Sequence, residues 1–464
     1  MSMYDRLFTK TEIEQEERRN GGEKSQRQSR EDVGAREVAF SSSYLRASAP
    51  PVRFSSGFFW FKAREKTQTK LQRTQSKFSC FPPFLRSSCS TSLFHVIFGV
   101  MFFLSANTLV AADKDWPMFR GNAAQTCVIA TPLAERYTLA WTYATGGACT
   151  SAVISDGLAV VGSGDGKVHA VDVITGKAKW TTDLAAQIDA APLILDGAII
   201  IGNTEGRLVS LALSDGKIRW EAKAGDKITG AANWFLHNGI KKIIVGSYDS
   251  KVHCFNAADG VEVWSYETGS YVNGTPAIGM VGDKQVAVAG GCDAKLHIIN
   301  LADGTKLHEI PVSAYIAASV AIAGGRAYVG DYGNEVTCTD LTTGTAVWTY
   351  KDRNFPFFSS PAVSADVVVL GGRDRRVHGL DRVTGKARWV FSARGNVDGS
   401  PLIGGNRVMI GSDDGRLYLL DLADGKERWS YELGDKLSGA PAFADGHIFV
   451  GGDNGHLYKF SPVN

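Results

Sequence analysis

The chain has 464 residues, room for about three average domains or one large repeat architecture. Hydrophobic residues at 44% and charged residues at 21% exclude wholesale disorder, and 51 glycines with only 14 prolines and no Gly-X-Y period exclude collagen and favour turn-rich β structure. A formal charge of +2 argues against a strongly basic nucleic-acid binder.

The +2 is an average of unlike parts. Residues 1–92 carry 17 Lys+Arg against 10 Asp+Glu, a net of +7, with one isolated aromatic cluster (Phe58, Phe59, Trp60 and Phe61). Such a segment buries too little surface to offset its ordering entropy, so it reads as disordered, or as a leader upstream of the true start. Residues 93–104 are almost wholly apolar, Arg86 precedes them, and Val110-Ala111-Ala112 supplies small residues suited to a signal peptidase. Residues 93–112 therefore read as a signal peptide. The alternative is a retained membrane anchor, since the run reaches 18 residues if Ser105, Ala106, Asn107 and Thr108 are tolerated. Cleavage implies a periplasmic or secreted protein; membrane association follows only if the segment is kept.

The remaining 352 residues carry a net of −5. After a lead-in over 113–138, one unit recurs to the end. A glycine that closes the second strand of each unit falls at Gly162, Gly202, Gly246, Gly290, Gly330, Gly371, Gly411 and Gly451, with spacings of 40, 44, 44, 40, 41, 40 and 40. A period in this range means a propeller or solenoid. In the first unit Leu158-Ala159-Val160-Val161 is a short strand and Gly164-Asp165-Gly166 a tight hairpin. Lys167 to Asp172 returns, Thr175-Gly176 turns again, and Trp180 lies on a fourth strand. Two third-strand columns are apolar on opposite faces, represented by Val168 and Val171, as blades stacked on both sides require. Asp172, Asn256, Asn300, Asp340, Asp381 and Asp421 end that strand and are expected to accept hydrogen bonds from the following turn. Trp141, Trp180, Trp220, Trp264, Trp348, Trp389 and Trp429 share a column, with His308 in the fourth unit. Each indole is expected to bury between blades with its N–H on a backbone carbonyl. The last unit stops before its own tryptophan strand, so Leu139-Ala140-Trp141-Thr142-Tyr143 should complete it. The fold class is all-β: an eight-bladed propeller of four-stranded antiparallel blades over 139–464, its ring closed by an N-terminal strand.

The pattern G-[SG]-x-D-G-x-[LV]-x-[AL]-[LV]-D-x-x-[TD]-G-K-x-x-W, best matched from Val161 to Trp180 and from Ile410 to Trp429, resembles the pyrroloquinoline quinone (PQQ) repeat. Trp116-Pro117-Met118-Phe119-Arg120-Gly121-Asn122 is similar to a short motif that precedes such propellers in secreted proteins. The resemblance implies an exported eight-bladed propeller, a fold shared by quinoprotein alcohol dehydrogenases and by non-catalytic scaffolds of the BamB type. Fold does not fix function. The dehydrogenases carry an adjacent Cys-Cys pair beside PQQ and a calcium ion; this chain has no Cys-Cys, no C-x-x-C-H haem site and no long inter-strand insertions.

Three residues before the proline column stand Cys149, Asp189, Thr229, Asn273, Ala317, Phe358, Asp398 and Ser438, which should gather at one end of the central channel. Of these Asp189, Asn273 and Asp398 are the candidate ligand-binding residues, by hydrogen bond or through a hard cation. His169, His253, His297 and His378 share a third-strand column on different blades, too far apart for one ion, and read as packing residues. Arg373, Arg375 and Arg376 replace the usual Asp-Gly turn and form the least ordinary rim feature. Cys127, Cys149, Cys254, Cys292 and Cys338 are odd in number, so one at least stays unpaired in a monomer; a Cys127–Cys149 bridge remains open. No catalytic residues and no metal site are identified. The favoured function is a non-catalytic scaffold binding a protein or polymer partner, with no nucleic acid and no cofactor; the alternative is a quinoprotein oxidoreductase using PQQ and calcium.

Overall fold

A computed structural model describes residues 114–463. The leader and signal-peptide assignments lie outside the described residues. Within them there is no helix, and none therefore long and apolar enough to cross a membrane. The chain forms eight four-stranded antiparallel blades arranged as an eight-bladed β-propeller, and Val128–Ile129 of the lead-in adds a parallel edge to blade 7. Blade 1 shows how the sequence builds the unit. Its strands are Val153–Ser155, Leu158–Gly162, Lys167–Asp172 and Ala178–Asp183, paired in that order. The second hairpin turns on Gly166 and the third on Gly176, at φ of +87° and +68°, a region that costs glycine little. The Asp172 carboxylate fixes the third turn by accepting from the N–H groups of Ile174 and Thr175 at 3.1 and 2.8 Å.

Every outer strand carries a bulge with its extra residue immediately before the tryptophan column, as between Ile218 and Trp220 in blade 2. A bulge bends the strand and re-aims the next side chain. Here it delivers the indole onto the following blade. Trp141, Trp180, Trp220, Trp348 and Trp389 donate from Nε1 to the carbonyls of Val173, Leu213, Ala257, Arg382 and Leu422, at 2.8 to 3.1 Å. Each ring lies against the turn glycine of the next blade. A methyl group at Gly425 would stand 2.4 Å from the Trp389 ring, and φ there is already +71°. In blade 4, where His308 replaces tryptophan, the contact at Gly344 loosens to 3.6 Å.

The last blade consists of Ala442–Ala444, His447–Gly451 and His456–Pro462, and its outer strand is Tyr137–Ala144 from the start of the domain. Blade 8 then meets blade 1 at the centre, where the Ala440 N–H donates to Ser151 Oγ at 2.8 Å. The same bond links other inner loops: Thr275 to Ser319, Ser319 to Ser360 and Ser360 to Ser400, at 2.9 to 3.0 Å. The core is accordingly divided into apolar layers between blades rather than one central mass.

The lead-in does more than arrive at its strand. It bridges to Ile154 of blade 1 through Trp116. Carbonyls of Pro117, Ala123, Ala124, Thr126 and Cys127 then accept in turn from Ile194, Ile278, Ile322, Val363 and Ile403 of blades 2, 4, 5, 6 and 7. Blade 3 is reached by Asn233 Nδ2, 2.8 Å from the Ala123 carbonyl. Arg120, 1% exposed, donates to the carbonyls of Gln125, Ser360 and Pro361. Residues 116–129 thus form a strap across the inner strands that visits seven blades in order.

Candidate functional site

Under the strap, Phe119 helps line a central cavity of about 40 Å³ with Asp189, Thr229, Asn273, Ala317 and Ser319. That volume suits about three or four water molecules at about 10–15 Å³ each. The inner column predicted to gather at the channel does so for these blades. Asp189 accepts from Gln187 Nε2 at 2.8 Å. Asn273 is 4% exposed; its amide donates to the Ile316 carbonyl and to Cys292 Sγ, each at 3.2 Å, and its Oδ1 is buried without a hydrogen bond. Asp189 and Asn273 are the hard oxygen donors of this cavity. Asp398 does not join them. It is fully buried, and the Arg373 guanidinium holds it at 2.8 Å through Nη2 and 3.1 Å through Nε.

Beyond the inner column lies a wider ring. The residue two places after each blade-closing glycine is Tyr248, Tyr332, Arg373, Asp413 or Asp453 in blades 3, 5, 6, 7 and 8. Its N–H donates to an inner loop, which pins it at the channel mouth. Tyr248 stacks on Tyr271 at 4.8 Å between centroids. Tyr315 stacks on Tyr332 at 4.3 Å, Tyr332 lies 5.8 Å from Phe358, and the Arg373 guanidinium covers the Phe358 ring at 4.2 Å. The arc then turns acidic through Asp398, Asp413, Asp435 and Asp453. Burial, with the Asp398 charge next, pushes the Asp413 carboxyl up to about 7; Lys436, 3.7 Å away, opposes this. Burial also pushes Asp435 up to about 6, against hydrogen bonds from Asn454 and Tyr458. One side of the mouth is therefore a stack of aromatic faces and the other a set of crowded carboxyls.

Sequence reasoning found the inner column and missed this ring, although the fixed offset from the repeating glycine marks it. The histidines stay apart, each on its own blade. His169, His297 and His378 meet the hydroxyls of Tyr143, Tyr266 and Tyr350 from the preceding blade at 3.0 to 3.1 Å. The arginine turn is not one basic tip: Arg373 faces Asp398, whereas Arg376 pairs with Asp352 at 3.0 Å. Cys127, Cys149, Cys254, Cys292 and Cys338 are all buried free thiols, so the Cys127–Cys149 bridge is not formed.

PQQ is a flat tricyclic tricarboxylate. A cavity of about 40 Å³ does not admit it, and the Asp413, Asp435 and Asp453 carboxyls at the mouth oppose its charge. The residues present do not fit the group.

The family model described as outer membrane protein assembly factor BamB matches residues 131–232, 196–316 and 314–460. No curated protein matches the chain by sequence. Among solved structures, BamB from Moraxella catarrhalis is 17% identical with a TM-score of 0.58, over 70% of this chain and 100% of that one. Quinohemoprotein alcohol dehydrogenase from Comamonas testosteroni is 16% identical with a TM-score of 0.64, covering 76% of this chain and 82% of its own. A europium-containing methanol dehydrogenase is 14% identical at the same TM-score, over 76% and 98%. At these identities the likeness shows the fold alone.

Proposed function

We propose a function from one premise: this chain belongs to the family described as outer membrane protein assembly factor BamB. The reading is an exported, non-catalytic propeller that binds a protein or polymer partner through its channel mouth and rim loops. One observation carries it. At the channel mouth the half-buried rings of Tyr271, Tyr315 and Tyr332 and the half-buried carboxyls of Asp413 and Asp453 are backed by buried Tyr248, Phe358 and Asp435, the composition of a recognition surface, with no nucleophile–base pair among them. The oxidoreductase alternative draws on likeness at 14–16% identity, and the mouth chemistry opposes its quinone.

The test uses the full chain. Titration with PQQ and calcium should give no saturable quinone absorbance and no dye-linked alcohol oxidation. Cross-linking in cell-envelope extracts should recover a partner that the double variant Tyr271→Ser, Tyr332→Ser loses. Saturable quinone binding with alcohol oxidation overturns the reading, as does partner recovery that the double variant leaves unchanged.

A further inference from the structure

The histidine column looks uniform in the sequence, but its surroundings differ between blades. In blade 3, His253 meets Glu262 at Nδ1 and Asp249 at Nε2, both at 2.8 Å. In blade 4, Glu309 lies on the Nδ1 side of His297 and Asp293 on the Nε2 side, at 3.8 and 2.7 Å. Carboxylates on opposite edges of an imidazole cannot converge on one ion. Blade 6 departs from this. The Tyr350 hydroxyl takes Nδ1 of His378 at 3.1 Å, Asp374 lies at Nε2, and no carboxylate is paired with Nδ1. One donor atom each from Asp352, Asp374 and His378 lies within 4.8 Å of the others, the only such group among the described residues.

A second observation is independent of that clustering. The Asp374 side chain is 3% exposed, and its Oδ2 makes no hydrogen bond. His378 Nε2 straddles the carboxylate, 3.3 Å from Oδ1 and 3.2 Å from Oδ2, instead of aiming at either oxygen. One N–H shared between two buried carboxylate oxygens leaves the pair poorly satisfied, which is costly, and a cation relieves it. Arg376 reaches both acids unequally: its Nη1 sits 3.0 Å from Asp352 while its Nε is 3.9 Å from Asp374 Oδ2. Its grip is on the outer acid, not the buried one.

We propose that Asp352, Asp374 and His378 form a binding site for a divalent transition ion of the zinc class, at the rim between blades 5 and 6. An imidazole nitrogen with two carboxylate oxygens suits such an ion better than calcium or magnesium, which take oxygen alone. Nε2 and one oxygen from each carboxylate are the ligands, and water takes the fourth position. With Nε2 on the metal, the Nδ1–H donates to the Tyr350 oxygen, which fixes the tautomer. Bonds of about 2.0–2.1 Å place tetrahedral donors roughly 3.3 Å apart, so Asp352 must close inward and Arg376 must swing out. Both are partly exposed and sit on rim segments.

Zinc chloride titrated calorimetrically into the untagged full chain, with cobalt(II) absorption as a coordination signature, tests this. One equivalent should bind. Asp352→Asn should weaken binding at least about tenfold and remove the cobalt bands without changing the thermal melt, because the side chain is exposed. Arg376→Gln should tighten it several-fold by removing the competing cation. No saturable binding by the native chain overturns the proposal. So does native-like binding by Asp352→Asn, or weaker binding by Arg376→Gln.

Discussion

Asp413 sits among Asp398, Asp453 and Lys436, and burial makes its ionised form expensive. Its folded-state pKa of about 7, with about 6 for Asp435, lies above the unfolded value of roughly 3.9. The folded chain therefore binds more protons than the unfolded one between about pH 4 and pH 7. Stability falls as pH rises through that window. Asp413→Asn removes the ionisable group while keeping its shape. At pH 8 it should be more stable than the native chain by on the order of 1 kcal/mol, a fraction of the full shift because Lys436 and solvent screen the charge. At pH 4 the two should match. Urea unfolding at both values checks the sign, and equal stability at pH 8 contradicts the electrostatic account. The fold of a single blade was legible because its turn glycines, turn aspartates and tryptophans recur at fixed offsets. Charge crowding was not: Asp413 and Asp453 share one offset but lie on different blades, and Asp398 stands at another offset, so the three meet only when the ring forms.

At the scale of the element, the strap behaves as an added inner layer. Its conformation has little apolar periodicity to predict it, which is why the sequence marked Trp116 to Asn122 only as a motif and left its course unspecified. What holds it is backbone bonding to the inner strands and one buried side chain. Arg120→Ala strips the donors from three buried carbonyls, those of Gln125, Ser360 and Pro361, and should destabilise the domain by about 2–4 kcal/mol. Arg120→Lys should restore only part of this, because an ammonium does not reproduce the planar fork. Thermal unfolding of both variants gives the comparison; a loss below about 0.5 kcal/mol for the alanine variant would show that the strap does not depend on this anchor.

For the whole molecule the decisive contact is between its ends. Tyr137–Ala144 covers the open edge of His456–Pro462, so the first and last repeats depend on each other. Deleting residues 1–144 should therefore remove both strap and closing strand. The remaining chain should then associate through its unpaired edge, read as multimers in light scattering and loss of a single cooperative melt. A monomer with native cooperativity would contradict this. The expected closing strand, 139–143, differs from the observed one only at its ends, because the missing tryptophan strand of the last repeat leaves an unambiguous vacancy in the pattern. The strap has one further consequence, which concerns how such a protein can change over generations. Tandem copies are prone to gain or lose a unit by unequal recombination. Here a stretch of fourteen residues, 116–129, must reach seven successive inner strands and hand on to the eighth blade. It serves as a measuring tape laid inside the ring. A chain with seven or nine units would leave that tape too long or too short, so copy number is held by a segment that is not itself a copy.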